Sequence, residues 1–361
     1  MLFRSQLHDL EHPFEETISI ENKFQTHLMN YYAQKYKKKN VQYELRSSND
    51  LSYQISENIS ITLAILWICL DPKSTWICRV QSRLPDFMYD HQLKLRRDVF
   101  TQHEILSNLE EYKDKKSTFD IINAIFNDPQ IYFGVRCHAA RTMAYFADVI
   151  SADFSYGKTL IDWYESNFFE KINDKVNPLN PKSHDFHNVP LHYLQLEVIR
   201  ALSIIRESGS NTPKKIIDLL HIILDKAKNT NNQYNDDAFN AEVELALGRI
   251  NSDQRDDFRK SQELIQSQLT LHATIPTFEN IISSAGYTAL TAIALKNIDD
   301  NTLIPDIDCM RNIVLQNSNH YNCRAIIFKC LLYLAFYFKD RITFADLFSD
   351  IRKLVDNKAY S

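Results

Sequence analysis

Up to Pro85 the apolar positions tend to alternate with polar ones; beyond it they return every third or fourth residue. Thr17–Ile20 (TISI) and Val41–Leu45 (VQYEL) alternate as half-buried strands do. Ile59–Leu70 is rich in β-branched residues and runs into Asp71-Pro72-Lys73-Ser74, a turn-forming cluster. Trp76–Val80 (WICRV) then reads as the return strand. Residues 1–85 are therefore predicted to be mainly β, with the lysine-rich segment 35–40 as a loop between strands.

After Pro85 the pattern is helical throughout. Val99, Ile105, Leu106 and Leu109 mark one helix, and Phe119, Ile122, Ile125 and Phe126 a second that ends near Asp128-Pro129. Val135 to Ala147 and Leu194 to Ile205 continue the series on either side of a long polar loop, Asn173–Asn188. Thr212-Pro213 predicts a helix start with proline at the first position. Further helices are expected at Ala238–Leu247, Gln254–Leu271, Ile281–Leu295, Leu303–Leu315, Cys323–Phe338 and Phe344–Val355. Around a dozen helices with short polar links make an array of α-hairpins. One segment, Val135-Arg136 followed by Ala139-Ala140 and Met143, resembles the Val-Arg-x-x-Ala register of HEAT helices, and Cys323-Arg324 with Ile327 and Leu331 echoes it. Such units cannot bury their apolar faces alone, so they stack into a superhelix. The fold class expected is mainly α, a HEAT/ARM-like α-α superhelix.

Composition sharpens this. The chain holds five glycines in 361 residues, where average usage of about 7% would give roughly 25. No two are spaced for a dinucleotide fingerprint or a P-loop, so glycine-built phosphate cradles are excluded. The longest apolar run, Ile61–Leu70, is about half the ~20 residues a spanning helix needs, and no membrane partner is expected. A formal net charge of −5 exerts no global pull toward nucleic acid. Local basic clusters remain at Lys37, Lys38 and Lys39 and at Lys113, Lys115 and Lys116, weak candidates for contact with DNA or a partner.

Catalytic chemistry finds no foothold. His103-Glu104 opens like a zinc-protease helix, but position 107 is Ser107 where a second histidine ligand would be required. His184, His187 and His192 gather with Asp185 in a spacing that matches no closed metal site. No nucleophile elbow exists, and none of the six cysteines forms a C-x-x-C pair. No catalytic residue, cofactor or metal is expected.

The run from Leu66 to Tyr112 is more specific than periodicity. Trp67, Asp71, Pro72 and Trp76, then Gln92, Leu93, Arg97, Asp98, Val99 and Gln102, resemble a motif block of the TBP-associated factor 2 family, subunits of the general transcription factor TFIID. Segments 132–147 and 231–247 are similar to the same family, and Tyr36–Asn40 falls at its lysine-rich insertion. Cys69 stands where the family pattern has arginine. The resemblance implies a non-enzymatic nuclear scaffold. In that family an inactive aminopeptidase-like region precedes a β-sandwich and a HEAT-like solenoid. Residues 1–85 would be the end of the sandwich and 86–361 the solenoid, with no counterpart here of the aminopeptidase-like region. Implied partners are other TFIID subunits, the TBP-containing complex and, for complete members, promoter DNA. Trp67, Asp71, Pro72, Trp76, Arg97, Asp98 and Gln102 are expected to pin the sandwich to the first solenoid helix. The alternatives are the C-terminal helical domain of a zinc aminopeptidase and a generic HEAT-repeat adaptor.

Overall fold

A computed structural model describes residues 2–8, 13–19, 44–46, 52–54, 67–70, 89, 92–93, 98–109, 116–150, 155–172, 175–207, 210–226, 232–275, 277–316 and 318–358. It divides into two compact units, residues 1–142 and 143–361.

In the first unit, β1 (Leu2–His8) lies between β2 (Pro13–Ser19) and β5 (Trp67–Leu70) in an antiparallel sheet. Leu2 pairs with Ser19 and His8 with Trp67. Strands β3 (Glu44–Arg46) and β4 (Ser52–Gln54) form a separate antiparallel pair. The expected turn at Asp71–Ser74 and return strand at Trp76–Val80 lie outside the described residues. Helix α1 (Val99–Leu109) follows, then α2 (Lys116–Asn127) and α3 (Phe133–Ile150). Asp98 caps α1 by accepting the Thr101 amide at 3.0 Å, which satisfies one of the amides a helix start leaves free. Ile105, Leu106 and Leu109 are buried, as their spacing predicted.

The boundary between the units falls within α3, and the second unit continues with α4 (Ser155–Phe168) and a hairpin of β6 (Phe169–Ile172) and β7 (Lys175–Pro181). The polar stretch Asn173–Asn188, read as a loop, thus contains the second strand of this pair. Eight further helices follow: α5 (Val189–Ile204), α6 (Lys214–Lys226), α7 (Asp237–Arg249), α8 (Arg255–Thr274), α9 (Ile281–Lys296), α10 (Ile307–Leu315), α11 (Tyr321–Tyr337) and α12 (Phe344–Lys358). Their starts follow local chemistry. Asn188 accepts the Leu191 amide at 3.1 Å and Asp306 the Cys309 amide at 3.0 Å. Thr212, by contrast, does not cap its own helix: its hydroxyl accepts the Asn251 amide at 2.9 Å and Arg206 Nη1 at 3.1 Å.

Neighbour relations sort these helices into two layers. α5 packs on α7, α7 on α9 and α9 on α11, while α6 packs on α8 and α10 on α12. Each even-numbered helix from α4 to α10 also meets the odd-numbered helix that follows it. A helix with neighbours on several sides must be apolar around most of its girth; α9 (IISSAGYTALTAIALK) carries no charge before its last residue. α6 needs one apolar face only, and buries Ile216, Ile217, Leu219, Leu220, Ile223 and Leu224 while its lysines face water. The expected solenoid is therefore present as a two-layer array of α-hairpins.

Candidate interaction surface

Polar groups join successive repeats of the array. Glu242 on α7, buried, accepts Arg200 Nη2 from α5 at 2.8 Å and Arg249 Nη1 at 3.1 Å. Arg206 donates to the carbonyls of Ser203, Ile205 and Arg249, each at 2.8 Å. Lys296, the last residue of α9, donates Nζ to the carbonyls of Gly248 and Ile250 at 2.9 and 2.7 Å. Cations therefore sit at the carboxyl ends of α5 and α7, where helices leave carbonyls unpaired and carry partial negative charge. Between α6 and α8, Lys214 pairs with Asp257, and His221 Nε2 lies 2.8 Å from Ser261 Oγ. Burial pushes the His221 imidazole down to about 4. Arg311 on α10 makes a two-pronged pair with Asp350 on α12, at 2.6 and 3.0 Å.

The two segments carrying the Val-Arg echo share one device. Arg136, second in the register on α3, donates Nε to the Phe126 carbonyl at the end of α2, at 2.8 Å. Arg324 on α11 does the same to Val314 at the end of α10, at 2.7 Å. Both reach back ten residues. The repeat seen in the sequence is thus a repeated helix-end clamp.

Of the motif residues, Asp98 is the exposed N-cap of α1 and Gln102 is buried on the same helix. Trp67 lies in β5. Asp71, Pro72, Trp76, Arg97, Lys37, Lys38, Lys39, Lys113 and Lys115 lie outside the described residues, and Lys116 is the first residue of α2.

Histidine contacts are the feature that sequence reasoning placed least well. His103 Nδ1 meets His138 Nδ1 at 2.9 Å, and burial together with His138 and Arg141 lowers the His103 pKa. His184, expected on a loop surface, is buried against Phe239 with ring centroids 4.3 Å apart. Its Nε2 stands 3.7 Å from Asp236 Oδ2, and its carbonyl accepts Asn232 Nδ2 at 2.6 Å. Burial lowers the His184 pKa, which favours the neutral ring. His192, Phe186 and Tyr234 complete this aromatic knot. His187 stays exposed, and Asp185 accepts the His187 amide at 2.9 Å. The knot ties the 182–188 connection to the start of α7. Among the described residues no group of three or more His, Cys, Asp or Glu side chains is arranged to hold a metal ion, and no helix is long and apolar enough to cross a membrane.

Fold and surface together define a helical-repeat protein. The chain belongs to the family described as TAF2-like, TPR repeats, whose model matches residues 86–358. That description types the repeats as TPR; TPR and HEAT units are both α-hairpins stacked in two layers. The chain is similar to transcription initiation factor TFIID subunit 2 of Drosophila melanogaster, 24% identical over 243 residues that cover 67% of this chain and 19% of that protein. Its counterpart in Schizosaccharomyces pombe is 29% identical over 187 residues, 51% of this chain and 15% of the relative. That of Saccharomyces cerevisiae is 28% identical over 182 residues, 49% and 12%. The matched part spans a fifth or less of each of these three relatives.

Proposed function

We propose that this chain is a non-enzymatic scaffold segment of TFIID. It holds other TFIID subunits along its stacked helices and supports assembly of the RNA polymerase II preinitiation complex on core promoters. The observation that carries the reading is the family match over residues 86–358, which contains the whole two-layer array. Its setting is the nucleus, and its partners are TBP-associated factors and the TBP-containing complex. Residues 1–85 act as the β-rich end of a sandwich and 86–361 as the helical domain. A role at Initiator DNA belongs to the assembled complex, since a net charge of −5 gives this chain no general attraction for phosphates. The relatives' names favour this scaffold over the aminopeptidase reading.

The test is reconstitution. The purified chain is mixed with recombinant TFIID subunits, one at a time and in combination, and resolved by size-exclusion chromatography. The proposal expects at least one subunit to shift with it into a stoichiometric peak. Separate elution from every subunit and combination would overturn it.

A further inference from the structure

α11 is the inner-layer helix with the most exposed apolar surface. One face, with Cys323, Ile327, Cys330, Leu331 and Leu334 buried, includes its packing against α9. Thr288 Oγ1 of α9 approaches Cys330 Sγ at 3.9 Å there. The flank and far side carry Ile326, Leu332, Tyr333, Phe336 and Tyr337, all exposed, with Phe336 at 58%. In α7 no large apolar side chain is exposed, and in α5 and α9 such residues sit only at the amino-terminal end, at Val189, Tyr193 and Ile281. Elsewhere in the inner layer the array covers such a face with another helix; among the described residues none covers this one.

We propose that the outer face of α11 is a docking surface for one amphipathic α-helix supplied by another protein. Three observations set its chemistry. The surface continues the α5–α7–α9–α11 stacking series, so its shape suits a helix lying where the next inner-layer helix would stack. The exposed positions 326, 333 and 337 recur at helical spacing along a helix about 25 Å long, which matches a partner of about five turns. The one charged side chain along this face is Lys329, whose Nζ lies 6.0 Å from the Tyr333 ring centroid. Lys329 stands at the midpoint of Tyr321–Tyr337. Antiparallel pairing of α11 with a second copy of itself would set Lys329 against Lys329 at the centre of the contact. A helix with a glutamate or aspartate at its centre meets that ammonium favourably instead.

The experiment does not depend on the TFIID reading. A designed peptide of about five turns, with leucine at i, i+4, i+7 and i+11 and a central glutamate, is labelled and titrated with the full chain by fluorescence anisotropy. We expect binding in the micromolar range, weakened at least tenfold by the Leu332→Glu/Phe336→Glu double variant. Circular dichroism checks that this variant keeps its fold. Lys329→Glu should also weaken binding about tenfold, and a peptide with lysine in place of the central glutamate should recover it. No binding, or binding indifferent to these exposed positions, would overturn the proposal. So would sedimentation showing that the chain dimerises and that the double variant makes it monomeric, because the occupant would then be a second copy.

Discussion

At the scale of single residues the array is governed by what its inner helices cannot expose. Glu242 and Glu244 stand two apart on α7, so they point to different faces, yet both are buried because α7 is enclosed by α5, α6 and α9. Glu242 has two arginines. Glu244 is fully buried with neither carboxylate oxygen hydrogen-bonded, and burial raises its pKa well above the ordinary 4.5. A carboxyl held protonated in the folded state costs nothing below the unfolded pKa, and its presence lowers stability progressively as pH rises toward the folded value. Glu244→Gln should therefore match the parent protein near pH 4 and be more stable near pH 8, by chemical denaturation. A variant less stable than the parent at pH 8 would show that the carboxylate has a partner. From the sequence, a Val-Glu-Leu run said only that a glutamate sat in a helix. Its burial depends on how many neighbours the helix has, which periodicity along one segment does not encode. The two arginine clamps were half legible: the Val-Arg register was visible at Val135-Arg136 and echoed at Cys323-Arg324, but their carbonyl targets at Phe126 and Val314 were not.

At the scale of elements, the close approach of α7 and α9 rests on Gly248. A Cβ added there would stand 2.7 Å from the Ala289 Cα, inside any real contact distance. Replacing a helical glycine by alanine ordinarily stabilises a helix by up to about 1 kcal/mol. Here the backbone of the neighbouring helix would have to move, and overpacking of that kind costs about 1–3 kcal/mol. Gly248→Ala should therefore destabilise, with the loss read from urea unfolding; a stabilised variant would mean that α7 and α9 are further apart. The element positions themselves were largely readable. Asp237–Arg249, Arg255–Thr274, Ile281–Lys296 and Tyr321–Tyr337 fall within a few residues of the periodic segments that predicted them. The β6–β7 hairpin was not, because Pro178 and Pro181 argue against a strand interior. An isolated two-stranded ladder has an edge on either side, and this one carries a register irregularity between Phe169 and Lys171. Both features tolerate residues that cannot donate to a ladder.

At the scale of the whole molecule, the sequence pointed to stacking but not to which helices stack. The alternation into α5–α7–α9–α11 and α6–α8 became visible only in three dimensions. The candidate site followed the same course. Its family motif was legible around Asp98 and Gln102, whereas the exposed face of α11 was not, since an apolar helix reads alike whether its second face is covered or bare. On the function proposed above, an intact two-layer array is what joins this chain to TFIID. The direct measurement is quantitative mass spectrometry of proteins co-purifying from nuclear extract with the tagged chain, compared with a tagged variant whose α7–α9 contact is disrupted by Gly248→Leu. TBP and several TBP-associated factors are expected to be enriched with the parent chain and reduced to background with the variant. Equal recovery with both, or absence of these proteins from the parent chain's eluate, would contradict it.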